Sequence, residues 1–474
     1  MGFFQKFIQL FSQNAQTSQE AKGRDTTAPK QRGTTEIGIG LDFGTSCTKV
    51  VIQDMSTRRK YAIPAMDGDS NNPYLMPTVL SLTQDGIFNR AGEGIVIEDI
   101  KLKFLFGKKK TIHGIEHSGA EIATAYLAFV LRDTLRWIDE NQAQYSGDNK
   151  IKFWLNIGLP AKNCTDEKLI IEFKQVALAA WFLAISGELI HLESIKKYLE
   201  SSKRNFDKTG SGERNQFTPE RINIVPEVIA SMFGYVLSPA CLDGMYYLID
   251  VGSSTYDAVL FNVGRTDGIA RYSIFETDVR QLGTTRYFRQ ILGKVDQLIE
   301  SGDLDRSAVI HQTRDLWKIN PLRDPIPPID RSLRYGIRED DDFSRQCVNM
   351  VKSLVVNSIR RRNPKANEWD TGLPVFLTGG GRNIEFYREV LNLASDRIRN
   401  LHFNSFIMKD LEYPDNLIAP GLPFPQYHRM QIAYGLSFNP LLFGEILNKD
   451  EIDDLVMEIP VKDYTNRFIG QEMV

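Results

Sequence analysis

Two stretches of this chain share one design: an apolar strand, an aspartate at its end, a turn of small residues, and a strand that returns. The first is Glu36-Ile37-Gly38-Ile39-Gly40-Leu41-Asp42, the turn Phe43-Gly44-Thr45-Ser46, and Lys49-Val50-Val51-Ile52. Strict alternation puts Ile37, Ile39 and Leu41 on one face. The second is Tyr246-Tyr247-Leu248-Ile249-Asp250-Val251, the turn Gly252-Ser253-Ser254-Thr255, and Tyr256-Asp257-Ala258-Val259-Leu260-Phe261. Repetition of such a unit is the mark of an internal duplication.

The chemistry of such turns is specific. Each offers backbone N–H groups from a tight bend, and concavities of that kind bind anionic oxygens. Gly44 and Gly252 allow close backbone approach, while Thr45, Ser46 and Thr255 add hydroxyl donors. Asp42 and Asp250 cannot face phosphate directly, but they can hold a hydrated Mg²⁺ that bridges phosphates. Two facing hairpins would clamp a polyphosphate between two lobes. Either hairpin alone reads equally well as a structural turn, since Asp and Gly are common there. The pair, together with Gly379-Gly380-Gly381 between a buried strand at 375–378 and a helix from about Asn383, is the stronger signal.

Other segments supply the frame. Helices are expected at 119–142, 166–185, 280–300 and 343–362, and a strand at 152–158. Residues 201–218 read as a polar surface loop, 320–342 as a proline-bearing excursion, and 448–457 as an acidic helix. Near the start, Phe3, Phe4, Phe7, Ile8 and Phe11 share one face of an amphipathic helix over 1–11. That face suits either a membrane surface or partner groove, or the protein's own body. A polar tether spans 12–35.

Several function classes drop out. Basic and acidic residues balance at 57 and 60, so a dedicated nucleic-acid surface is not expected. No apolar run reaches the ~18 residues of a spanning helix. Cys47, Cys164, Cys241 and Cys347 form no C-x-x-C pair and read as reduced thiols of a cytoplasmic protein. Gly107-Lys108-Lys109-Lys110-Thr111 lacks the upstream glycine of a P-loop, and Gly38-Ile39-Gly40 lacks the third glycine of a dinucleotide fingerprint. His113 and His117 have no third metal ligand in evidence, which favours a solvated loop.

In order along the chain, these motifs resemble those of the actin, Hsp70 and sugar-kinase ATPase superfamily. Leu41–Lys49 resembles its first phosphate motif, Asp250–Asp257 its second, and Gly379-Gly380-Gly381-Arg382-Asn383 its adenosine motif. Val225-Pro226-Glu227-Val228-Ile229-Ala230-Ser231 is similar to the first connecting helix, and Ile432-Ala433-Tyr434-Gly435-Leu436 to the second. Leu75–Leu82, Ala91-Gly92-Glu93, Ile100–Gly107 and Ile157–Ala161 resemble the Hsp70 branch in particular.

The resemblance implies an α/β fold of two actin-like lobes, each a ribonuclease H-like domain, with Mg-ATP in the cleft between them. Lobe I would span 36–226, and lobe II 227–440 with a return to lobe I at its end. Residues 441–474 form an acidic tail, too short for the peptide-binding domain of Hsp70s. Glu227 orients or deprotonates the attacking water. Asp42 and Asp250 hold Mg²⁺ through water, and Lys49 with the turn N–H groups at 44–46 and 252–255 neutralises phosphate. Gly379, Gly380, Gly381 and Arg382 receive the adenosine. Three departures stand out. Gly94-Ile95-Val96-Ile97 lacks the lysine that Hsp70s carry nearby, so Lys49 takes that part, as in actins. Pro226-Glu227 reverses the Hsp70 order, and Ser253-Ser254 replaces Gly-Gly, which puts hydrolysis in more doubt than binding.

The leading expectation is a slowly hydrolysing Mg-ATP switch that regulates a protein partner or client. Its rivals are a filament-forming actin-like protein held at a membrane by its N-terminal helix, a small-molecule kinase, and an ATP-binding scaffold without turnover.

Overall fold

The computed structural model describes residues 34–65, 73–90, 92–141, 150–207, 217–238, 240–266, 269–291, 341–447 and 449–452. The N-terminal segment with Phe3, Phe4, Phe7, Ile8 and Phe11 lies outside these residues, as do most of the tether and the 320–340 excursion. The fold is mixed α/β, with parallel and antiparallel strands in the same sheets.

The first half contributes β1 (Thr34–Asp42), β2 (Cys47–Asp54), β3 (Lys60–Ala62) and β4 (Met76–Pro77). A small sheet follows, made of β5 (Leu80–Leu82), β6 (Phe88–Asn89) and β7 (Ile95–Ile97), then the hairpin β8 (Lys109–Ile112) and β9 (Ile115–Ser118). Strands β10 (Lys150–Leu159) and β11 (Ile222–Pro226) complete the main sheet. The second half contributes β12 (Gly244–Val251), β13 (Tyr256–Thr266), β14 (Ile269–Arg280), β15 (Leu373–Thr378) and β16 (Phe406–Lys409). Two late strands are β17 (Leu417–Ile418) and β18 (Glu445–Leu447).

The two large sheets repeat one topology. The first runs β11-β10-β1-β2-β3-β17 and the second β16-β15-β12-β13-β14-β18. In each, the central strand has a parallel neighbour on one side (β10 or β15) and its own antiparallel hairpin partner on the other (β2 or β13). Each then ends in a late strand laid parallel on the far edge. The duplication of the hairpins thus extends to strand order and direction.

Alternation builds these sheets. Ile37, Ile39 and Leu41 are fully buried on one face of β1, in the core that also holds the helices Gly119–Glu140 and Glu167–Ser186. The second sheet buries Tyr247, Ile249 and Val251 against the helices Asp342–Asn357 and Glu385–Ile398. A third core lies between the sheets. There Val51 and Ala62 of the first sheet and Leu248, Val259 and Phe261 of the second share the helices Glu227–Val236 and Gln431–Leu436. Glycines make that layer thin: a Cβ on Gly40 would overlap the backbone of Ala433 and Ser437, and one on Gly435 would overlap the Ala230 carbonyl. Gly40 therefore serves helix packing, consistent with the missing dinucleotide fingerprint. Lys60 is fully buried in the same region, donating to Gln53 Oε1 at 2.7 Å and Ser437 Oγ at 2.6 Å, with its ammonium 3.3 Å from the centre of the Phe438 ring.

Three expectations need correction. Residues 201–207 are helical, the end of a helix over Leu192–Asp207, because Ile195, Leu199 and Ser202 present one buried face. The helix Glu167–Ser186 does reach spanning length and apolarity, with a mean hydropathy of 1.6. More than half of it is buried, and Leu169, Phe173 and Val176 belong to the core. Residues 445–447 are a strand of the second sheet, not part of a loose tail, and only a short turn of the expected acidic helix, Lys449–Glu451, falls within the described residues. The helix expected over 280–300 is described at 284–291 only.

Candidate functional site

Asp42 ends β1 and lies directly across the ladder from Lys49 of β2. Residues opposite each other in such a ladder have neighbouring side chains. The seven-residue spacing thus closes an ion pair, Lys49 Nζ to Asp42 Oδ2 at 2.9 Å, with Asp42 buried. The turn between them is pinned from outside. Thr78 donates from its hydroxyl to the Gly44 carbonyl at 2.9 Å and from its N–H to the Ser46 carbonyl at 2.8 Å. Gly44, Thr45 and Ser46 remain partly exposed.

The second hairpin has the same register with a different residue. Asp250 is the last residue but one of β12 and lies across from Asp257 of β13. Thr378 of β15 donates from its hydroxyl to Asp250 Oδ1 at 2.8 Å. The turn carbonyls of Gly252 and Ser253 accept from the N–H groups of Thr284 (3.0 Å) and Thr285 (2.8 Å). The side chains of Ser253, Ser254 and Thr255 stay partly exposed.

Glu227 opens its helix directly after β11, and a lysine that the motif reading passed over reaches it. Lys101, on the helix Ile100–Leu105, places Nζ 2.6 Å from Glu227 Oε1. Both side chains are largely buried, at 8% and 12% exposure. Burial pushes the Glu227 carboxyl up, and Asp42 and Asp250 add to this against the pull of Lys101. Burial works against the charge on Lys101, but Glu227 and Asp42 outweigh it and hold the ammonium above its usual range. Asp257 is pushed well up by burial and by the charges of Asp250 and Glu227, and its Oδ1 has no hydrogen-bond partner among the described residues. Asp250 also rises through burial, with Thr378 and Lys49 opposing. Glu227, Asp250 and Asp257 line one small cleft with Pro160, Val228 and Ile432. Apart from Ser231 and Thr277 its other walls are apolar, which favours the upward shifts.

The glycine turn packs onto the second hairpin. Gly379 has φ +79°, and a Cβ there would stand 2.6 Å from Asp250 Oδ1. Gly381 donates to the Val251 carbonyl at 2.9 Å. These glycines are required by packing against β12 whatever else they receive. Arg382 is paired with Asp410, which ties its guanidinium to the loop after β16.

The hairpin aspartates, the glycine turn and Glu227 therefore converge, and Lys49 is joined by Lys101 as a second cation. Gly94–Ile97 carries no lysine; Lys101, on the following helix, is the one that reaches Glu227. Among the described residues, no group of three or more His, Cys, Asp or Glu side chains is arranged to hold a metal directly. His113 sits at a left-handed turn (φ 49°), and His117 is buried edge-on against Phe88. Neither protein-family models nor curated proteins yield a match to this chain.

Proposed function

We propose that this chain is a Mg-ATP-binding switch with slow hydrolysis, built as two actin-like, ribonuclease H-like lobes around the cleft. The observation that carries this reading is the equivalence of the two sheets: each has an aspartate at or next to the end of its central strand, beside a small-residue turn, and both aspartates act electrostatically on Glu227. Duplicated turns whose aspartates act on one glutamate suit a polyphosphate better than a small neutral ligand.

The donor set fits a hydrated cation. Mg²⁺ keeps several waters and takes one or two carboxylates with substrate phosphates, so Asp42 and Asp250 suffice without a third protein ligand. Bound there, Mg²⁺ would offset charge on the phosphates. Lys49 and Lys101 add positive charge from the chain itself. The N–H groups at 44–46 and 252–255 line the turns.

Phosphoryl transfer to water depends mainly on positioning and charge neutralisation. Glu227, held by Lys101, orients the attacking water. Burial raises its carboxyl, which makes it a stronger proton acceptor than an ordinary glutamate. Arg382 and Gly379–Gly381 take the adenosine side, and a nucleotide entering there has to compete with Asp410 for Arg382.

Calorimetric titration with Mg-ATP and Mg-ADP tests this reading. Saturable binding by wild type, weakened at least tenfold in D42N and D250N, is expected. Absence of binding by folded wild-type protein contradicts the proposal.

A further inference from the structure

Arg429 has no part in the reading above, yet it stands where the parts of the cleft meet. It ends the 3-10 segment Phe424–Arg429, immediately before the helix Gln431–Leu436 that lies between the sheets. Its guanidinium approaches the glycine turn: a Cβ built on Gly380 would lie 3.7 Å from Nη2 and 3.9 Å from Cζ. The Cβ space on Gly379 is blocked by the Val251 backbone and Asp250, and that on Gly381 by the side chains of Val251 and Thr284; above Gly380 the room opens toward Arg429. Asp42 of the first turn and Asp250 of the second both act on the Arg429 charge, as does the Cys47 thiol. One partly buried cation is thus within electrostatic reach of both aspartate turns and beside the glycine turn.

Its chemistry differs from that of the two lysines. Lys49 is committed to Asp42 and Lys101 to Glu227. A guanidinium presents a planar fork of donors that matches two oxygens of a phosphate at once. Its backbone belongs to the late segment that returns between the sheets, so a contact from Arg429 to a ligand also fixes that segment.

We propose that Arg429 is a phosphate-positioning residue, gripping the nucleotide's phosphate chain from the side of the glycine turn. The inference rests on the nucleotide reading of the same cleft. It makes the distinction between nucleotide and nucleoside depend on this side chain.

The test is calorimetric titration of wild type, R429K, R429Q and R429A with Mg-ATP, Mg-ADP and adenosine. R429A and R429Q are expected to lose about 10- to 100-fold in affinity for ATP and ADP. Adenosine affinity stays within twofold of wild type, which also reports that the cleft is folded. R429K recovers part of the loss, because it keeps the charge and lacks the fork. ATP and ADP affinities in R429A and R429Q within twofold of wild type overturn the inference while leaving the nucleotide reading intact. An equal loss for adenosine in both variants overturns it too, since a phosphate contact has no effect on a nucleoside. Wild-type protein that binds neither ATP nor ADP contradicts the underlying reading instead, and the role of Arg429 falls with it.

Discussion

Lys49 and Asp257 occupy the same place in the two hairpins, each seven residues after, and directly opposite, the aspartate near the end of the central strand. One hairpin carries a cation there and the other a carboxylate. The first aspartate is neutralised within its own hairpin, whereas Asp250 and Asp257 add like charge to each other. A polyanion with a bound cation is the kind of ligand that such an asymmetric pair accommodates.

Asp257 gives a pH-dependent prediction. Burial raises its carboxyl well above the ordinary value of 3.8. A raised acid favours the protonated form in the fold, so its contribution is fully present below pH 3.8 and is lost as pH rises through the folded value. Asn mimics the protonated acid. D257N should therefore melt about 2 °C higher than wild type at neutral pH and show no advantage below the ordinary carboxylate range. Thermal melts across pH check this, and a gain that persists unchanged at low pH contradicts it.

The Lys101–Glu227 pair should matter for folding as well as chemistry. Removing one member of a buried pair strands the other charge, at a cost of about 3 kcal/mol or more. K101A should lower unfolding stability by that amount in urea, and K101M/E227M should recover most of it. Equal stability of K101A and wild type would place the pair in solvent, contrary to its 8% and 12% exposure.

Gly435 joins the two helices between the sheets. A methyl there overlaps the Ala230 carbonyl, so G435A has to push the helices apart. Overpacking of this severity costs about 3 kcal/mol or prevents folding. The soluble yield and urea midpoint of G435A measure it; a midpoint equal to wild type rules out the close crossing.

The N-terminal segment makes a separate prediction. Its apolar face of Phe3, Phe4, Phe7, Ile8 and Phe11 should carry the chain onto lipid vesicles. Co-sedimentation with vesicles should fall when residues 1–11 are deleted, and an unchanged bound fraction excludes a lipid anchor there.

Some of this site was readable from residue order because its contacts are local. A strand, a turn and a returning strand fix their own register, so the hairpin that carries Asp42 and Lys49 was legible, while their ion pair was not expected. The spacing of that pair, applied to Asp250, reaches Asp257, which stood within the motif without a role. Lys101 carried no local signal: Ile100-Lys101-Leu102-Lys103 looks like any solvated helix turn. It is the burial of Ile100 and Phe104 that carries the lysine to Glu227. Arg429 is likewise placed by the packing of a distant helix. The helix Leu192–Asp207 was obscured by its serines, since Ser202 lies on the buried face where periodicity looks for an apolar residue. Strand β18 is only three residues long, too short for alternation to register.

In the proposed function Glu227 and the paired turns act on a nucleoside triphosphate. Phosphate release from Mg-ATP, measured side by side for wild type and E227A, tests it most directly. Slow but measurable turnover by wild type is expected, with a loss of about a hundredfold or more in E227A and ATP still bound. Equal, background-level rates for the two proteins would contradict it.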